Sequence, residues 1–225
     1  MAYDGSGTLF ALGTRITKLG ANGAPLVGAN NAYVTDALVK VDLGLEYDDG
    51  EEITQKNGAG VICVAYQAPS SLKRGTISGF QFCTPDPNVL QFLIGGTVLN
   101  DSATPTPNQI GYAAPEVGTD PVPNGVSLEF WTRAVTGGSF AGTNPYFHWL
   151  VPRAFIRPSG AFALSGEDPT VPEFEGFSTE NANWGDGPIG DWDYAAPFGE
   201  RVWQFVREAA VPDLAPAFLA VVADA

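Results

Sequence analysis

The chain has 225 residues, a formal net charge of −14 and a single histidine, with 44% apolar and 12% aromatic residues. A chain of this length buries a real core, and its apolar content excludes wholesale disorder. Its acidity excludes tight DNA wrapping, which needs Lys and Arg to neutralise phosphates, and one histidine argues against an enzyme built on histidine chemistry.

Residues 1–34 are rich in Gly, Ala and Asn, with a turn signal at Asn22-Gly23, and read as an N-terminal arm with short strands. Val39, Val41 and Leu43 then alternate with Lys40 and Asp42, the pattern of a half-buried strand. Glu46, Asp48, Asp49, Glu51 and Glu52 form an acidic loop, and Asn57-Gly58 is a turn before a strand over residues 61–67. That strand has apolar residues on both faces, so it is expected to be buried or shared with a neighbour. Residues 76–82 read as a third strand.

One helix is clear. Asp86 is suited to cap it, Pro87 to its first position, and Gly95 to close it. Val89, Leu90, Leu93 and Ile94 fall on one face, so the helix is expected to pack on a sheet. Residues 100–125 read as a long loop of Pro, Thr, Asn and Gly. Strands follow over residues 126–131 and 146–151, paired across Gly137-Gly138, and further strands near residues 161–164, 174–179 and 202–207. The Ala-rich segment 208–225 has no clear assignment. The expected fold is mainly β: one domain over residues 1–225, an antiparallel β-sandwich or barrel with one short flanking α-helix and long loops.

Few residues carry a recognisable chemistry. His148 lies among aromatics in a strand and reads as structural. Cys63 and Cys83 have no metal-ligand spacing and read as free core thiols of a reducing compartment. There is no two-histidine zinc motif, nucleophile elbow, Walker sequence or dinucleotide fingerprint. Asp48, Asp49, Glu51 and Glu52, or Asp186, Asp191 and Asp193, supply oxygen ligands of the type calcium takes, but neither set has EF-hand spacing, and a solvated acidic face is the better reading. Trp184, Trp192 and Trp203 read as core residues or interface anchors rather than as a sugar platform. No export signal opens the chain, and its most apolar terminal run is too short to span a bilayer. The expectation is a non-enzymatic protein without a cofactor, metal site or membrane insertion.

Taken in order, residues 37–43, the acidic loop, Lys56-Asn57-Gly58-Ala59-Gly60, the strand over 61–66, Pro69, the Thr84-Pro85-Asp86-Pro87 helix start and Leu93-Ile94-Gly95-Gly96 resemble the major tail tube proteins of long-tailed bacteriophages. Asn183-Trp184-Gly185-Asp186-Gly187-Pro188, followed by Asp191-Trp192, is similar to another element of that family. The likeness covers most of residues 8–200 and stops near Arg207. It implies a virion protein assembled in the host cytoplasm, whose homohexameric rings stack into a hollow tail tube. The implied partners are further copies of itself, a tape measure protein, tail terminator and distal tail proteins, and genomic double-stranded DNA that passes without tight binding. On this reading Glu46, Asp48, Asp49, Glu51 and Glu52 belong to a ring-stacking loop and Asp42 faces the lumen. The competing readings are another virion component, such as a capsid decoration or tail terminator protein, and a glycan-binding β module.

Overall fold

The alternating apolar runs become strands of one large antiparallel sheet that folds over on itself. The computed structural model of the chain describes residues 7–103, 107–162, 171–192 and 201–222. In chain order the elements are β1 (Gly7–Lys18), β2 (Gly28–Thr35), β3 (Leu38–Asp48), β4 (Glu52–Lys56), β5 (Ile62–Gln67), β6 (Ser71–Phe82), α1 (Pro87–Ile94), β7 (Thr97–Asn100), β8 (Gln109–Ala113), β9 (Val126–Thr136), β10 (Ser139–Phe140), β11 (Tyr146–Pro158), β12 (Glu173–Ser178), β13 (Gln204–Glu208) and β14 (Ala217–Val221).

The main sheet runs β14-β2-β1-β9-β11-β12-β6-β3, with β10 beside β9 and β13 beside β11. β11 belongs to both halves. Its first residues, from Tyr146 to Leu150, pair with β13, and its last, from Ala154 to Pro158, pair with β12. Between them the register against β9 breaks between Val151 and Ala154, the kind of irregularity by which a strand turns a corner from one sheet layer to the next. The two halves then face each other across a shared core. Phe80 of β6 meets Phe130 of β9 edge-on at 5.6 Å although these strands are not sheet neighbours. Ile16, Leu128 and Val151 from one half and Ile77, Phe82 and Phe174 from the other complete that core.

α1 closes one end of the sandwich as its caps predict. The Asp86 carboxylate accepts the backbone N–H of Asn88 at 2.8 Å and also the Tyr33 hydroxyl at 2.6 Å, which ties the helix start to β2. Gly95 takes a positive φ of 75°, where a side chain is disfavoured, and ends the helix. Val89, Leu90, Phe92 and Leu93 are buried against the core.

Five expectations need correction. From residue 7 on, the N-terminal segment is no arm: β1 lies between β2 and β9 and is central to the sheet, and residues 1–6 lie outside the described residues. The acidic loop is mostly strand, with Glu46 and Asp48 in β3 and Glu52 opening β4. The stretch 100–125 contains a strand, β8, which pairs with β7 just before it, rather than only loop. Cys63 and Cys83 are free but exposed, not core residues. The terminal segment supplies β14, which pairs with β2 and sets Phe218 edge-on to Tyr33 at 5.1 Å. Of the strand expected over 161–164, residues 161 and 162 are not in a strand, and residues 163 and 164 lie outside the described residues.

Leu90→Ala is expected to cost about 2–5 kcal/mol in urea unfolding, because the cavity it leaves under α1 cannot collapse fully; a negligible loss would show that the helix is not docked. Deleting residues 7–18 is expected to abolish cooperative unfolding altogether, and a deletion variant with a wild-type transition would contradict the central place of β1.

Candidate functional site

The outermost feature is the hairpin of β4 and β5. Asn57 shapes its tip: the Asn57 side-chain oxygen accepts the backbone N–H groups of Ala59 and Val61, and Gly60 takes a φ of 80° that suits glycine. Pairing of Ile53 with Tyr66 and of Gln55 with Val64 puts Ile53, Val64 and Tyr66 on one face, together with Ile62. Cys63 and Ala65 lie on the other face, so the strand is apolar on both sides as expected, but the larger side chains share one face and neither face is buried. Every residue from 51 to 67 is exposed, so nothing in the described chain covers that face. Tyr66 is 56% exposed and Ile62 53%. An isolated two-stranded hairpin is marginal in water, and an apolar stripe on it marks a contact surface.

At the foot of this hairpin lies the outer face of the layer formed by β3, β6, β12 and the second half of β11. Their charged residues balance. Five basic side chains (Lys40, Lys73, Arg74, Arg153 and Arg157) meet five carboxylates (Asp42, Glu46, Asp48, Glu173 and Glu175). Lys40 pairs with Asp42 at 2.6 Å, and Lys73 reaches Glu46 and Asp48 at 3.2 and 3.3 Å. Arg74 donates to Glu46 at 2.5 Å, and Arg157 lies 2.8 Å from Glu175. The Glu46 carboxyl is held below its usual range by the hydrogen bonds from Arg74 and Lys73. Phe155 and Phe177 stack at 5.1 Å, with the Arg74 guanidinium 4.9 Å over Phe177. Arg74, Thr76, Ser78, Arg157 and Glu175 line a groove of about 480 Å³ beside them.

The third feature is buried. On the face of β1, β9 and β11 away from the sandwich core, Arg15 grips Glu129 through two hydrogen bonds of 2.6 Å. Glu129 also accepts from His148 Nε2 at 3.0 Å, while His148 Nδ1 donates to Glu208 of β13 at 2.8 Å. Asp191 accepts from Arg15 at 2.9 Å. His148 stacks on Trp131 at 4.5 Å, and Trp192 meets its ring edge-on at 5.0 Å. Arg15 and Glu129 are fully buried. Two carboxylates facing the two ring nitrogens require both to carry protons, so His148 is an imidazolium. Burial pulls its pKa down, but the bonds to Glu129 and Glu208 outweigh that and raise it to about 9. Burial pushes the Glu129 carboxyl up, and the charges and hydrogen bonds of Arg15 and His148 more than reverse this, to about 2. Asp191 is pushed up, chiefly by burial.

The residues read from the sequence thus fall in three places. Asp42, Glu46 and Asp48 are on the charge-balanced face, engaged with Lys and Arg, while Asp49, Glu51 and Glu52 stand exposed at the base of the hairpin. Among the described residues no three His, Cys, Asp or Glu side chains converge as metal ligands, and Asp193 lies outside those residues. Trp184 and Trp192 are buried in a small second core with Leu19 and Leu150, as the core reading expects. Arg15 and Glu129 escaped the sequence reading; the available signal was a strand with Phe130 and Trp131 on opposite faces, which forces Glu129 indoors. Compared with protein-family models and with curated proteins, the chain gives no match.

The pH dependence follows from the buried network. His148 has its pKa raised from 6.5 to about 9 in the fold, so its contribution is complete below pH 6.5 and disappears as pH rises through about 9. It amounts to about 3 kcal/mol. Glu129 acts at the other end, its contribution fading as pH falls from 4.5 through about 2; Asp191, with a raised pKa, opposes it, being stabilising only at low pH. Urea unfolding of wild type is expected to lose that stability between pH 6.5 and 9, and His148→Gln to remove the slope. An equal slope in the variant would show that His148 is not the charged partner of Glu129 and Glu208.

Proposed function

We propose that this protein is a structural subunit of a phage-type tail tube, assembling into six-membered rings that stack into a hollow conduit for double-stranded DNA. The observation that carries the reading is the β4–β5 hairpin: Ile53, Ile62, Val64 and Tyr66 form one continuous apolar face, and each is about half exposed. Nothing among the described residues covers it, and a further copy is the partner that a stack of identical rings supplies. Head-to-tail contacts of this kind do not close on themselves and therefore propagate as filaments.

Two other features support it. Among the described residues the sheet ends in open strands, β3 on one side and β14 on the other, and such edges invite pairing unless another chain satisfies them. The net charge of −14 keeps a polyanion from adhering, which suits a conduit and does not suit a nucleic-acid clamp. On this reading the hairpin, with Asp49, Glu51 and Glu52 at its base, bridges successive rings. Asp42 lies on the wall of the bore, and tape measure, terminator and distal tail proteins meet the assembled tube.

The double variant Ile62→Ser with Tyr66→Ser is expected to leave monomer stability within about 0.5 kcal/mol, as for other exposed positions, and to abolish higher assemblies in sedimentation velocity at high concentration. Assemblies of wild-type size in that variant would remove the hairpin from the contact.

A further inference from the structure

The outer face of the β3-β6-β12-β11 layer differs from the rest of the chain in charge. It holds five of the eleven basic residues, against an equal number of carboxylates, whereas the whole molecule is strongly anionic. The strand register explains why the charges meet rather than scatter. Glu46 is opposite Arg74 across β3 and β6, and Glu175 is opposite Arg157 across β12 and β11. Cross-strand neighbours lie about 5 Å apart, close enough for direct ion pairing. The same register stacks Phe155 on Phe177 and lays Arg74 over the Phe177 ring. Arginine placed over an aromatic ring, next to hydroxyls from Thr76 and Ser78, is the chemistry that grips a phosphate backbone. Here the carboxylates occupy it.

We propose that this face is a charge-matched wall for the phosphate backbone of duplex DNA, on which Glu46 and Glu175 hold Arg74 and Arg157 away from phosphate. The identity of the polyanion rests on the tube reading; the masking rests only on the register and the ion pairs. A uniformly acidic wall repels the duplex and a wall of free arginines traps it. Four of the five cations, Lys40, Lys73, Arg74 and Arg157, are matched by carboxylates at hydrogen-bond distance, and Arg153 donates to the Asn124 carbonyl; a wall so matched presents little net field beyond a Debye length of about 10 Å. DNA then passes without a preferred resting place. The exposed pairs are individually weak, so their role is to cancel the field, not to hold the fold.

The test uses the monomer and a short duplex, with fluorescence anisotropy at low ionic strength. Wild type is expected to show no binding. Glu46→Gln with Glu175→Gln is expected to bind at least about tenfold more tightly, with log K falling against log salt at a slope near −2, one unit for each arginine released. Adding Arg74→Ala to that variant is expected to lower the slope to about −1. If the double variant melts early, Glu175→Gln alone gives the same readout with a slope near −1. A folded variant that ignores DNA, or wild-type protein that binds it through Arg74, overturns the proposal. Because the measurement is made on monomers, it is independent of whether tubes form. Tubes that assemble from a double variant indifferent to DNA would remove the matched wall and leave the tube reading intact.

Discussion

The buried pair of Arg15 and Glu129 is the constraint on which the sheet depends. A carboxylate taken fully out of water must keep its partner, and losing one member of such a pair costs about 3–5 kcal/mol. The pair also sets register: sliding β1 by one residue along β9 would turn Arg15 into the apolar interior and Ile16 out of it. Through His148 the same network reaches Glu208 and so holds β13, and through Asp191 it holds the Trp184–Trp192 segment over the back of the sheet. Two stretches far apart in sequence are thereby fastened to β1, β9 and β11.

That rigid centre gives meaning to what is left uncovered. The Phe80, Phe82, Phe130 and Phe174 cluster buries its rings tightly, yet the β4–β5 hairpin leaves Ile62 and Tyr66 in solvent. Trp131 and Trp184 are completely buried within the packed layers, whereas every residue of the hairpin is exposed. The exposed stripe is therefore a property of the hairpin's place at the far end of β3 and β6, beyond the reach of the second layer. The charge-balanced face adjoins it, and the two surfaces differ in kind: one is apolar and suited to a permanent contact, the other paired and suited to none.

Much of this was legible in the sequence where local signals decide the outcome. Asp86, Pro87 and Gly95 placed α1 because capping is a matter of a few adjacent residues, and the alternation in β9 and β11 placed both strands. The Asn57 turn was visible for the same reason. β1 was not, because its Gly13, Thr14, Arg15 and Thr17 look polar and loop-like; they are strand residues only because Glu129 and the Trp192 segment, more than a hundred positions away, cover that side. The acidic run at 46–52 misled in the opposite way. Its carboxylates suggested a solvated loop, whereas Lys73 and Arg74 on the neighbouring strand neutralise Glu46 and Asp48 within a regular ladder. The ion network was illegible since its five members become neighbours only once the sheet has formed.

The central claim is that identical copies cover one another's exposed hairpins and build a hollow polymer. Electron microscopy of the purified protein across a range of concentrations tests it most directly. The account predicts six-fold rings at intermediate concentration and stacked hollow filaments at high concentration. Isolated monomers throughout, or small closed oligomers that never extend, would contradict it.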